Sequence, residues 1–142
     1  MKKCKYILLF IVIMILTGCG ANNNTDLTCT KIYDDDSEQV FIYSFKDNKV
    51  HNIKMILNIP EREMVDEESY KSEFNKINDI DGCSGEFIKN EDNSYTTTQN
   101  CDLNKMSDSS IKNLFLIDRK ELEIKREKVI DNYSSDEQMT CK

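Results

Sequence analysis

Apolar residues recur along this chain at three spacings, and each predicts a different structure. From Tyr6 to Leu16 they form an unbroken run of eleven residues without a charge, a glycine or a proline. As a helix that run spans about 16 Å, against roughly 30 Å of bilayer hydrocarbon. With Lys2, Lys3 and Lys5 in front of it, it reads as the core of a signal peptide and not as a membrane span. Further along the spacing falls to two. Phe41, Tyr43 and Phe45 alternate in QVFIYSF, and in VHNIKMILNI His51, Ile53, Met55, Leu57 and Ile59 share one face while Asn52, Lys54 and Asn58 take the other. KDNK, Lys46 to Lys49, supplies an Asp-Asn turn between the two, so they predict a hairpin. LTCTKIYD predicts a short strand before it, with the acidic cluster Asp34 to Glu38 as the connecting turn.

The third spacing is helical. Pro60 ends the second strand, and Glu61, Glu63, Asp66, Glu67 and Glu68 crowd the start of a helix, where carboxylates complement the backbone dipole. Tyr70, Phe74 and Ile77 then predict its buried stripe. GCSGEFIKN and SYTTTQNCDL form a second hairpin. Taking Glu91, Asp92 and Asn93 as its loop sets Asn90 against Ser94 and, stepping outward, Cys83 against Cys101. Opposed residues of antiparallel strands have Cα atoms about 4.5 to 5.5 Å apart, a separation that a disulfide spans. Ser107 caps a short helix with Ile111, Leu114 and Phe115, and Arg119 to Tyr133 predicts another, with Leu122, Arg126, Val129 or Ile130, and Tyr133 along one side. MTCK closes the chain as a last short strand. The expected fold is one small α+β domain, an antiparallel sheet of hairpins with helices packed on one face.

Composition changes the picture in two ways. Lys and Ile occur sixteen times each and Asn fourteen, against single Ala and Pro residues. Their codons are AT-rich, so a low-GC, Gram-positive bacterial source is expected. Residues 1–18 read as the signal segment, 19–26, with ANNNT, as a polar tether, and 27–142 as the domain. Removing 1–18 takes away three lysines and no acid, leaving 16 basic against 26 acidic residues, a formal charge of −10. Such a surface repels phosphate backbones, so nucleic acid is excluded as a partner. The acidity suits solubility beside an anionic envelope, or recruitment of a cation or a basic envelope protein.

LTGC, Leu16 to Cys19, looks like a bacterial lipobox, in which the cysteine sulfur takes a diacylglycerol and cleavage falls just before it. The resemblance implies that Cys19 is lipidated and, with a further acyl chain such as palmitate on the new amine, holds the chain on a membrane. Cys4 leaves with the signal, so Cys29, Cys83, Cys101 and Cys141 remain. Four cysteines outside the cytosol suggest two disulfides, with three possible connectivities. If hairpin register pairs Cys83 with Cys101, Cys29 pairs with Cys141. Zinc sites use close pairs such as C-x₂-C, unlike the spacings of 54, 18 and 40 here. Free thiols remain the other alternative.

Catalytic signals are sparse. His51 is the sole histidine and sits among core-facing strand residues, so a structural role is expected. Ser84 lacks the G-x-S-x-G setting of a nucleophile elbow. In NDIDG, Asn78 to Gly82, setting Gly82 at position six of a calcium loop puts Ile77 and Ile88 where carboxylates are required. Asp34 to Glu38 could hold a hard cation weakly. No catalytic residue, metal ligand or cofactor is assigned.

The lipobox, LTCT, YSFKDNKV with the alternating strand after it, DLNKMSDSSIKNL and the terminal TCK together resemble small lipoproteins of uncharacterised function from low-GC Gram-positive bacteria. Their layout is similar to that of the YehR-like lipoproteins. The resemblance implies a single α+β domain and a lipid anchor, and no catalytic residues. The expected function is a membrane-anchored binding or structural module on the outer face of the cytoplasmic membrane, not an enzyme. The alternatives are an envelope enzyme or accessory subunit, favoured by a deep polar pocket around His51, and a weakly calcium-dependent surface protein.

Overall fold

Two turns set the register of the sheet. Asp47 and Asn48 both adopt left-handed backbone, with φ of 52° and 61°. They close β2 (Glu38–Lys46) onto β3 (Lys49–Ile59) with a two-residue turn whose twist matches the strands it joins. In the second hairpin Asn93, φ 65°, turns β4 (Cys83–Lys89) back into β5 (Tyr95–Asp102), and the amide of Asn90 donates to Ser94 O at 2.8 Å. The computed structural model describes residues 26–64, 66–116, 118–133 and 139–142. With β1 (Leu27–Ile32) and β6 (Met139–Cys141), the strands form one antiparallel sheet in the order β4-β5-β3-β2-β1-β6. The described residues form a single α+β domain.

Register sorts side chains to the two faces. Row by row, Cys29, Phe41, Met55, Gln99 and Gly85 lie on one face, and Thr30, Val40, Ile56, Thr98 and Glu86 on the other. Every buried strand residue in those rows belongs to the first face, where Leu27, Tyr43 and Ile53 join the core. The alternation expected from His51 onward is interrupted. Ser44 pairs with Asn52 and Phe45 with Val50, so His51 is the extra residue of a β-bulge. Val50, 2% exposed, takes the core position instead.

The four α-helices of the described residues lie on the core face. α1 (Glu67–Ile77) starts where the Asp66 carboxylate accepts from the Ser69 amide at 3.0 Å, and it packs on β4 and β5. The expected buried stripe is only half covered: Tyr70 is 39% exposed, and Phe74 and Ile77 are half-buried. The helix comes down on a glycine instead of a side chain. A Cβ at Gly85 would lie 2.4 Å from the Phe74 carbonyl oxygen, so α1 meets β4 backbone to backbone. Gly85→Ala should therefore destabilise the domain by about 1–3 kcal/mol through forced displacement. Ser84→Ala, one residue away and exposed on the other face, should stay within about 0.5 kcal/mol in the same urea titration. Equal effects would contradict this packing.

The Ser107 hydroxyl caps α2 (Asp108–Phe115), accepting from the Ser110 amide at 3.1 Å. The single helix expected over Arg119 to Tyr133 is two, α3 (Arg119–Leu122) and α4 (Arg126–Tyr133). Between them the Ile124 carbonyl leaves the helical ladder and accepts from the Val50 amide at 3.2 Å, while its side chain packs against the core. A strand contact here outweighs helical continuity.

Candidate functional site

The structure joins Cys29 to Cys141 and Cys83 to Cys101. Backbone pairing explains both. Thr28 and Lys142 exchange two hydrogen bonds, 3.0 and 2.8 Å, so the next pair along, Cys29 and Cys141, occupies a non-hydrogen-bonded position. The Asp102 amide likewise donates to Gly82 O at 2.8 Å, one step from Cys83 and Cys101. Non-hydrogen-bonded pairs are the closer kind, about 4.5 Å between Cα atoms, and the bridges draw these to 4.0 and 4.1 Å. Cys29 and Cys101 are fully buried. Bridged sulfurs offer zinc no thiolate, and such bonds belong to an oxidising, extracytoplasmic setting. Cys19, with the signal segment and residues 19–25 of the tether, lies outside the described residues.

The other candidates sit apart from one another. His51 is half-buried and borders a surface recess of about 340 Å³ with Lys46, Asp47, Lys49, Asn104 and Glu123. No serine, threonine or cysteine joins it there. Its carbonyl accepts from the Leu103 amide at 2.9 Å, which ties the bulge to the segment after β5. Ser84 is exposed on the opposite face, paired with Asn100.

The acidic turn is occupied by its own bonds. Asp35 Oδ1 accepts from the Ser37 amide at 2.8 Å, which holds its carboxyl below the usual range, and Asp36 pairs with Arg62 at 2.5 Å. NDIDG is a turn between α1 and β4. The Asn78 side chain accepts from Gly85 N at 2.7 Å and donates to Gly85 O at 3.1 Å. This double bond occupies the outer edge of β4, where another strand could otherwise add. Gly82, φ 87°, passes where a Cβ would meet Asp102 O at 2.8 Å. Among the described residues no three His, Cys, Asp or Glu side chains converge as metal ligands.

Three arrangements join residues that no periodic pattern links to one another. Tyr43 and Tyr133 meet hydroxyl to hydroxyl at 2.5 Å, with Phe41 stacked against both rings. A recess of about 280 Å³ opens between Tyr33, Asp35, Gln39, Leu57, Glu63 and Tyr70. Its polar groups are largely engaged: Tyr33 donates to Gln39 Oε1 at 2.6 Å, and Gln39 Nε2 to Met55 Sδ at 3.1 Å. Arg119 gathers the segment after β5. It donates to the carbonyls of Leu103 and Met106, both at 2.7 Å, and to Asp108 and Glu123 at 2.5 and 2.9 Å.

The tyrosine pair makes stability depend on alkali. Burial, then the neighbouring Tyr133, raises the Tyr43 phenol far above its ordinary value of 10.0. The folded state thus resists ionisation that the unfolded state allows. The contribution is complete below pH 10 and is lost as pH climbs above it. Tyr43→Phe should flatten the fall of the urea midpoint above pH 10, and an unchanged slope would remove Tyr43 as its cause.

Opposite the core, the sheet carries no helix of the described residues. Thr28, Ile42 and Lys54 form one row across it and Thr30, Val40, Ile56 and Thr98 the next. None of these is buried, and Ile32 and Ile88 on the same face are 60% and 43% exposed. Towards β6 the face dips into a recess of about 370 Å³ lined by Thr28, Thr30, Ile32, Thr140 and Lys142. It is a broad mixed surface, with Val40, Ile42, Ile56 and the threonines set among Lys54, Asn58, Asn100 and Glu86.

No helix among the described residues is long and apolar enough to cross a membrane. No protein-family model and no curated protein sequence matches the chain. Among solved structures it is similar to the NMR structure of a protein from Streptococcus pneumoniae TIGR4, with a TM-score of 0.59 at 15% identity. The match covers 88% of this chain and 90% of that one. At that identity the likeness shows a shared fold, in a protein from a Gram-positive bacterium.

Proposed function

We propose that this protein is a lipoprotein on the outer face of the cytoplasmic membrane, held by lipid on Cys19, whose domain binds another envelope component and catalyses nothing itself. The uncovered face of the sheet carries this reading. An antiparallel sheet commonly leaves one face to solvent with polar side chains on it, and here that face adds Val40, Ile42, Ile56 and Ile88 to its threonines and to Lys54, Asn58, Asn100 and Glu86. Such a surface suits contact with a partner over an area, whereas the recess beside His51 has no serine, threonine or cysteine in its lining. The lipobox-like LTGC supports the anchor, and the layout shared with the YehR-like lipoproteins supports the class.

Two experiments test this. Cys19→Ala should abolish incorporation of a fatty-acid analogue and leave unprocessed precursor; undiminished label in the variant would end the anchor reading. A photo-crosslinking residue at Thr98 should trap an envelope component in living cells, and one at the exposed Glu73 on α1 should trap none. Equal yields from both positions would mean that the bare face is not the contact surface.

A further inference from the structure

We infer that the domain stands on its anchor in a fixed polarity, with the β2–β3 turn toward the bilayer and the opposite end of the sheet pointing away. This rests on the proposed lipidation of Cys19. The topology divides the connections between two ends. Leu27, where β1 begins, shares one end with the Lys46–Lys49 turn, the end of β5 and Lys142, and Arg126 donates there to Asp26 O at 3.2 Å. The other end holds residues 33–38, 61–64 with 66–68, and 89–92. Those three segments contain eleven carboxylates against Arg62 and Lys89, a formal −9. The rest of the mature chain holds fifteen acids against fourteen bases. Nearly all the excess negative charge is therefore at the end remote from the anchor.

Lengths decide what this does. The seven residues from Gly20 to Asp26 can reach no more than about 25 Å, so the near end stays close to the lipid. The eleven residues of β3 separate the two ends by about 36 Å, several times the Debye length of about 8 Å at physiological ionic strength. Upright, the acidic end feels little of an anionic bilayer. Tipped over, it enters the screening layer and is repelled. The rest of the mature chain, almost balanced in charge, meets no such penalty. The uncovered sheet face runs from one end to the other, so upright it stands roughly perpendicular to the membrane, accessible from the side.

The test supplies the lipid chemically, so its outcome is separate from whether cells lipidate Cys19. Mature chain is coupled through the Cys19 thiol to a maleimide lipid in nanodiscs containing phosphatidylglycerol and a gadolinium-chelating lipid, and amide signals are followed by NMR. The amides of Asp47, Asn48 and Asn104 should lose intensity while those of Asp35, Glu63 and Asp92 keep theirs. Replacing phosphatidylglycerol by phosphatidylcholine should weaken the contrast. So should Glu61→Gln, Glu63→Gln, Glu68→Gln and Glu91→Gln combined, all at exposed positions. Equal loss at both ends of the domain in anionic discs, or greater loss at Asp92, overturns the proposal. A contrast that persists unchanged in neutral lipid overturns its electrostatic cause.

Discussion

Serine at both positions 29 and 141 is expected to cost the domain more stability than any other pair of substitutions considered, up to about 5 kcal/mol in the chain-entropy description of a cross-link. Cys29 and Cys141 are 112 residues apart and Cys83 and Cys101 are 18 apart. The same description gives the shorter loop about 3 kcal/mol. Both are ceilings, and the hairpin's lies further from reality because its strands remain neighbours in the unfolded chain. Each pair includes one fully buried residue, Cys29 or Cys101, so the cost of burying a serine hydroxyl is similar in the two variants. The difference between them therefore reports loop closure. Urea unfolding without reductant measures it, and a larger loss for the Cys83 and Cys101 variant would reverse the ranking. Release of β6 should also expose the Thr28 amide, which donates to Lys142 O at 3.0 Å, to faster hydrogen exchange.

Arg119→Met should cost about 2–3 kcal/mol, chiefly from the two charge-assisted bonds to backbone carbonyls. Its side chain is 26% exposed, whereas that of Asp108 is 81% exposed, so the ion pair between them adds little. The carbonyls of Leu103 and Met106 lie in the irregular segment after β5, outside any strand or helix, and one planar guanidinium reaches both. An ammonium cannot fork in that way. Arg119→Lys should therefore recover less than half of the loss, and full recovery would show that charge alone suffices. Urea titration of the three proteins decides it.

The parts of this fold that could be read in advance are those where local chemistry and tertiary structure agree. Asp47 and Asn48 accept positive φ, so the first turn falls where KDNK stands. Asn93 does the same in the second hairpin, and the partner of Cys83 follows by counting outward. The departures arise where a distant group decides. Nothing in ELEIKRE interrupts helical periodicity, yet the Val50 amide claims the Ile124 carbonyl. His51 continues the alternation in sequence and is a bulge in space, because Leu103 N bonds to its carbonyl. Tyr70, Phe74 and Ile77 have the spacing of a core stripe, but the missing side chain at Gly85 lets the Phe74 carbonyl and Ile77 close on the sheet and leaves Tyr70 39% exposed. The partners of Arg119 lie 16 and 13 residues away in an irregular segment, beyond any periodic pattern. Of the uncovered face, Lys54 and Asn58 marked the polar side of β3 in the sequence, whereas its threonines and isoleucines also suit a buried strand.

The bridge between Cys29 and Cys141 encloses every residue from Thr30 to Thr140 in one covalent ring. A protease that cuts a single peptide bond anywhere in that ring opens it without dividing the molecule. Both new fragments stay attached to the segment that carries Leu27 and Thr28, and a nicked domain can keep its strands paired. With the proposed lipid on Cys19, shedding by proteolysis therefore requires two cuts within the ring or one in the residues before Cys29.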